Sequence, residues 1–341
     1  MRVSIRTAVV CLVATLLSFA GSAAQADETS PPDGCRSFFV PVPQGQLAAT
    51  LCLPTDSPTD TVMVLMAGSN YNGTYWDFAY RPETYNFRQA MNRAGYATLV
   101  VDRLGNGAST RPPALSLTAS ATADALHGIV QELRQGLAGA QPFGKVITVG
   151  HSLTSGTSVM EASAHHDVDG VVLTGYSHSL NIGETLGVIS TYHRATEEPE
   201  FAGRGYDSEY LVSRPGARLH DFYAPGNVDP EVLALDEKTK EAFSLTEYPD
   251  GLLSTLPGMS SLISAPVLIV NGGLDRLSCG IDYAVCANSA TLQASEAPFF
   301  APAARLSTFV LPGSGHALNL ARNTVEYQSA VTDWANSTIG R

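Results

Sequence analysis

The stretch on which the fold turns is Lys145-Val-Ile-Thr-Val-Gly-His-Ser-Leu-Thr154. Lys145–Val149 is a run of strand formers without polar alternation, as expected of a parallel strand covered on both faces. It runs without a gap into Gly150-His151-Ser152, and a helix is expected from Leu153 to about Ala164. A serine on so sharp a strand-to-helix turn is lifted above the sheet edge, and its neighbours must be small because the backbone approaches itself closely. The helix that follows points its first amides at developing negative charge. Ser152 is therefore the candidate nucleophile. In the pattern G-x-S-x-G the last position is glycine; here it is Thr154, with Gly156 two residues on, so the packing of the turn is expected to differ locally.

Outward from this stretch, strands and helices alternate. Arg36–Val42 and Leu47–Leu53 read as two short strands around Pro43-Gln44-Gly45. Thr61–Ala67 and Tyr96–Asp102 are further buried strands, with a helix at Arg88–Ala94 between them. Ser116–Gly136 has helical periodicity, and Gly170–Thr174 is again a strand. From His178 to Ser261 no strong buried strand is visible; this segment holds 14 acidic and 6 basic residues and helical stretches such as Glu231–Phe243. Alternation resumes with Ala265–Asn271 and Leu306–Leu311 and ends in a helix near Leu318–Ala335. The pattern predicts an α/β fold, a mostly parallel doubly wound sheet, with a core of residues 27–177 and 262–341 and a mostly helical cap of residues 178–261.

A serine hydroxyl needs a base to take its proton. His316 lies in Pro312-Gly313-Ser314-Gly315-His316, directly after the last expected strand. A glycine-rich turn there exposes a side chain at the sheet edge that carries Ser152. His127, His165 and His166 sit in or at the end of helices, and His193 and His220 fall in the inserted segment. His151 is expected to point away from Ser152 and to pack structurally. An imidazole base needs an acceptor that fixes its tautomer. Asp275 follows Ala265–Asn271 through Gly272-Gly273-Leu274, one strand before His316. Asp102 also ends a strand but comes too early in chain order.

Strand, GHSLT, helix, then GGLD, then GSGH, in the order Ser, Asp, His, resembles the serine hydrolase branch of the α/β-hydrolase superfamily. The likeness covers nearly the whole chain after residue 26. It implies the α/β-hydrolase fold and an oxyanion hole made by two backbone amides, which map to Leu153 and Ser69. The family often has His-Gly before the second amide; this chain has Ala67-Gly68. Having Ser rather than Asp at the elbow argues against the epoxide hydrolase and haloalkane dehalogenase branches. The segment Gly68–Thr74 mimics a phosphate loop but lacks the lysine before Thr74, which argues against nucleotide binding.

The chain opens with Arg2 and Arg6, an apolar run Ala8–Ala20, and Ala24-Gln25-Ala26, the pattern of a secretory signal cleaved before Asp27. Removing it leaves 315 residues with a formal charge of −14, a surface that does not invite nucleic acid or anionic lipid. No other run of about 18 apolar residues exists, so stable membrane insertion is not expected. Four cysteines remain once Cys11 is lost, and spacing favours Cys35–Cys52 and Cys279–Cys286 as disulfides. Neither pair has C-x-x-C spacing or a histidine nearby, and no metal or organic cofactor is implied. Asn72-Gly73-Thr74 and Asn336-Ser337-Thr338 match glycosylation sequons. Tyr71, Tyr75, Trp76, Phe78 and Tyr80 either line a pocket or pack the cap onto the core. The expected activity is cleavage of a small-molecule carboxylic ester through an acyl-enzyme. Thioesterase, lactonase, peptidase or amidase, and perhydrolase chemistry are rivals on the same residues, and a non-catalytic binding protein is a rival of another class.

Overall fold

The computed structural model describes residues 34–55 and 58–341. The expected leader 1–26, with Cys11 and the cleavage site before Asp27, lies outside the described residues. Among the described residues eleven strands occur in chain order: β1 Cys35–Val42, β2 Gly45–Cys52, β3 Thr61–Met66, β4 Ala97–Val101, β5 Lys145–His151, β6 Gly170–Thr174, β7 Tyr192–Arg194, β8 Tyr210–Ser213, β9 Phe243–Ser244, β10 Val267–Gly272 and β11 Ser307–Leu311. Eight form one sheet in the order β1-β2-β4-β3-β5-β6-β10-β11. The β1–β2 and β2–β4 pairings are antiparallel and the rest parallel.

Every residue of β3, β4, β6 and β10 is buried. Successive side chains of a strand face opposite sides, and the core divides accordingly. Val62, Val64 and Met66 enter one apolar cluster with the helix Ala119–Gln135. Met63 and Leu65 enter the other, with Trp76, Phe87 and the C-terminal helix Thr324–Thr338. That continuous burial is why these strands read as unbroken apolar runs.

The sheet order reverses direction between β3 and β5, which lie side by side with Met66 opposite Gly150. In parallel sheets such a switch point opens a crevice at the C-terminal strand ends. The loops after β3, β5, β10 and β11 reach that edge, carrying Ser69, Ser152, Asp275 and His316 respectively.

The inserted segment between β6 and β10 is not only helical. Besides the helices Ile182–Ser190, Arg218–Phe222, Pro230–Lys238 and Glu247–Gly251 it holds the three-stranded antiparallel sheet β7-β8-β9. Its strands are three, four and two residues long, too short for any periodicity. The expected helix Glu231–Phe243 stops at Lys238, and Phe243 opens β9 instead. Both ends of the insertion meet at the buried His178, whose Nε2 lies 3.0 Å from Ser260 Oγ and whose Nδ1 lies 2.6 Å from Glu296.

Both expected disulfides are formed, Cys35–Cys52 and Cys279–Cys286. The first joins residues directly opposite each other in the β1–β2 hairpin, at the edge of the sheet. With separations of 17 and 7 residues, loop-closure entropy assigns about 3 and about 2 kcal/mol to the two bridges. Urea unfolding of Cys35→Ser/Cys52→Ser should show a larger loss than that of Cys279→Ser/Cys286→Ser, with both double variants remaining folded at 25 °C. Equal stability of wild type and double variant would contradict this account.

Candidate active site

Ser152 has φ 56° and ψ −121°, a left-handed conformation that L-residues avoid and that surrounding structure must enforce. Several bonds do so. The Ser152 amide donates to Thr174 O at 2.8 Å, and Ser155 Oγ donates to the same carbonyl at 2.9 Å, tying the turn to β6. Thr154, which replaces the usual glycine, accepts from the His151 amide at 2.9 Å and donates to Met66 O at 2.6 Å. Its hydroxyl thus pins the turn to β3, a contact that glycine could not make. Gly68 is required on the facing loop: a Cβ there would lie 2.5 Å from His151 O and 2.9 Å from Ser152 Cβ.

His316 Nδ1 lies 2.8 Å from Asp275 Oδ2. The other carboxylate oxygen accepts from the amides of Leu277, at 2.9 Å, and Ser278, at 3.2 Å. An ionised carboxylate only accepts, so the imidazole donates from Nδ1 and leaves Nε2 without its proton. Nε2 is buried and has no hydrogen-bond partner. The turns bearing the two residues interlock: Leu274 N donates to Ser314 O at 2.8 Å, and a Cβ on Gly272 would sit 2.1 Å from Gly315 O. Gly272 of GGLD is required because these two backbones touch, whereas Gly315 of GSGH makes room for the inserted segment, where a Cβ would lie 2.5 Å from Ala224 N.

Ser152 and His316 together wall two small cavities. One, of about 60 Å³, extends past Leu153, Tyr176 and Leu252. The other, of about 20 Å³, lies under Ser69, Tyr71, Tyr192 and Phe222. Thr185, Tyr248 and Leu277 border both. Among the described residues no group accepts from the amides of Ser69 or Leu153, so each cavity has an unclaimed donor at its Ser152 end. A larger hollow of about 470 Å³, beside Ser37, Asn72 and Asp102, contains none of these groups.

The loop carrying Ser69 is held by two buried arginines. Arg103 donates to Ala67 O at 3.1 Å and Gly68 O at 3.2 Å, and pairs with Glu247 of the inserted segment. Arg218 donates to Asn70 O at 3.2 Å and pairs with both oxygens of Asp236, at 2.7 and 2.8 Å. Its guanidinium also lies over the Tyr71 ring, 4.3 Å from the centroid. Sequence reasoning missed these pairs, since neither the arginines nor their acids lie in a motif.

Other expectations resolve as follows. Of the five aromatic residues after the loop, Tyr71 reaches a cavity, whereas Trp76 and Phe78 belong to the core. Tyr248 and Thr185 carry no sequence signal of their own, being single residues on short helices of the inserted segment. His151 does pack structurally, stacked 4.5 Å from Tyr75. It does not stand apart from the site, however: its ring centre is 4.9 Å from that of His316. Asp102 accepts from Gly73 N at 2.7 Å and Ala108 N at 3.1 Å, bracing two loops away from His316. Asn72 of the first sequon already spends its amide on Glu241, at 3.3 Å.

A family model described as the alpha/beta hydrolase family matches residues 63–327. No curated protein matches the sequence. Among solved structures, a thermophilic esterase from Thermogutta terrifontis is 18% identical with a TM-score of 0.57, covering 89% of this chain and 99% of its own. The enol-lactonase from Burkholderia xenovorans LB400 is 17% identical, TM-score 0.58, over 88% of this chain and all of its own. A carboxylesterase structure from Nitrososphaera gargenis is 15% identical, TM-score 0.59, over 88% and 98%. Such identities speak for the fold alone, and the family match spans more than three quarters of the sequence. This chain belongs to the alpha/beta hydrolase family and is a hydrolase.

Proposed function

We propose that the chain is an exported serine esterase acting on carboxylic esters with a short acyl group. The observation that carries the reading is the imidazole of His316. It is fixed through Nδ1 on Asp275 and presents a buried, unpartnered Nε2 to the cavities that Ser152 walls. In this reading Ser152 Oγ attacks the ester carbonyl as its proton passes to His316 Nε2. The amides of Ser69 and Leu153 receive the oxyanion. Collapse of the tetrahedral intermediate breaks the bond to the alcohol, which leaves with the proton from His316. Water, deprotonated by the same nitrogen, then releases the acid and restores the serine.

Two small cavities on either side of Ser152 favour a short acyl chain over a long one. The solved structures noted above are described as an esterase and an enol-lactonase, and we take an ester as the bond that this chain cleaves. Export rests on the leader-like residues 1–26 and on two disulfides, which persist in oxidising compartments.

His151 contributes a second electrostatic feature. Burial, then His316 and Arg218, hold its pKa well below the ordinary value, so it stays neutral beside His316. An unfolded chain takes up this proton near pH 6.5, whereas the folded chain refuses it. The stability due to this group is therefore whole above pH 6.5 and is lost as pH falls below it.

Three outcomes are expected. Ser152→Ala should abolish fluorophosphonate labelling and lower kcat by several orders of magnitude while folding normally; a variant keeping more than about a tenth of the activity would remove Ser152 from its role. Along a series of p-nitrophenyl esters beside the matching anilides, kcat/KM should peak at two to four acyl carbons, and preference for the anilides would overturn the ester assignment. Asp275→Asn should cut kcat strongly with the fold intact, whereas Asp102→Asn should cost stability and spare turnover; the reverse pattern would reassign the acid. A further test is the urea midpoint between pH 7 and pH 5, which should fall less in His151→Gln than in wild type.

A further inference from the structure

Beyond the far end of the helix that begins after Ser152, three ligand-type side chains converge from separate elements. His127 comes from helix Ala119–Gln135, Glu161 from helix Leu153–His165, and Asp167 from the loop that follows. His127 Nδ1 lies 2.8 Å from Asp167 Oδ2 and 3.9 Å from Glu161 Oε1. One ligand atom from each residue falls within 4.8 Å of the other two.

The hydrogen bonding of this cluster does not close. Glu161 has no exposed surface, and neither of its oxygens has a hydrogen-bond partner. Asp167 Oδ1 is likewise buried without one, and His127 Nδ1 has only its 2.8 Å contact with Asp167 Oδ2. Three unpartnered oxygens in one place are an anomaly, because buried polar atoms are nearly always satisfied. Nor, among the described residues, does a Lys or Arg compensate: Arg134 meets Asp167 at its backbone carbonyl, 2.9 Å away, and gives its ion pair to Asp169. Two carboxylates and an imidazole thus face one another with no Lys or Arg between them.

We propose that His127, Glu161 and Asp167 bind one divalent cation of the zinc class. With ligand bonds of roughly 2.1 Å, tetrahedral coordination sets neighbouring ligand atoms about 3.4 Å apart, and the 2.8 and 3.9 Å separations bracket that value. An imidazole nitrogen in the donor set selects zinc and its transition-metal neighbours over magnesium or calcium. The surroundings are arranged for ligation. Gln131, one turn after His127, donates to Asp167 Oδ2 at 2.5 Å and orients that carboxylate. His165 stacks face to face on the His127 ring at 3.7 Å. The side chain of His127 is 32% exposed and that of Asp167 19%, which gives a cation a way in and water the remaining coordination positions. The last turn of helix Leu153–His165 also presents its negative end here.

Glu161 stands nine residues beyond Ser152, roughly 14 Å along the helix axis. The cation is therefore a clamp between two helices, distant from ester chemistry. The competing arrangement is a proton held on Glu161, whose carboxyl burial, with Asp167 beside it, pushes up to about 9. Separation in sequence hid the site: His127 and Glu161 share no local motif, and only the packing of two helices joins them.

The test uses the full exported chain, stripped with EDTA, incubated with zinc chloride, desalted, and assayed for metal by mass spectrometry and for melting temperature. About one zinc per chain should be retained, and zinc but not calcium should raise the melting temperature. His127→Ala and Glu161→Gln should each weaken zinc binding at least about tenfold, with the rate on p-nitrophenyl acetate unchanged. Retention below about half an equivalent by the wild type, or equal zinc binding by wild type and both variants, would overturn the proposal.

Discussion

The carbonyls of Ala67, Gly68 and Asn70 are buried, and a loop cannot bury carbonyls without donors. They belong to the loop that must lie against the Ser152 turn, close enough that residue 68 has no room for a Cβ. Backbone amides reach two of them, Tyr71 N at Gly68 O and Glu241 N at Asn70 O. Arg103 adds donors to Ala67 O and Gly68 O and Arg218 one to Asn70 O, and two guanidiniums brought out of water need counter-charges. Glu247 and Asp236 provide them, and both acids lie in the inserted segment. The geometry around Ser152 thus depends on a chain of necessity that runs from backbone carbonyl to arginine to carboxylate. The insertion is tied into the foundation of the site as well as forming its roof.

Most of the fold was legible because burial on both faces writes itself plainly. β3, β4, β5, β6 and β10 are continuous apolar runs, and glycine-rich turns follow β10 and the half-exposed edge strand β11, leading to Asp275 and His316. Ser152, Asp275 and His316 could be singled out because each follows a strand through a turn rich in glycine. The insertion was less legible. β7, β8 and β9 are two to four residues long, and their pairing is decided by contacts between distant segments. The same holds for Tyr248 and Thr185, which border both cavities from short helices of the insertion. Thr154 was read as a departure from pattern, whereas its hydroxyl bonds to both His151 and Met66. That role depends on β3 lying alongside, which one segment's sequence cannot express.

His151 and His316 illustrate how environment separates two identical side chains. His316 has a carboxylate on one nitrogen and, among the described residues, no partner on the other. His151 has only a distant Tyr75 hydroxyl and Thr174, at 3.4 and 3.3 Å, and is stacked against an aromatic ring. In the proposed mechanism one ring accepts a proton on every turnover while its neighbour, less than 5 Å away between centres, never does. A second positive ring at that distance would oppose the first.

The ownership of the two counter-charges bears on how such a protein diversifies. Insertions between β6 and the following core strand are natural units for recombination, since they can be exchanged at two adjacent points; here His178 and Ser260 mark them, 3.0 Å apart. In this chain an exchanged segment would have to bring carboxylates to the positions of Asp236 and Glu247, or strand two buried cations at a cost of several kcal/mol each. Single substitutions along the cavity walls, at Thr185, Tyr192, Phe222 or Tyr248, leave both salt bridges in place. The segment that gives access to new substrates is, through its salt bridges, the one least free to be replaced whole.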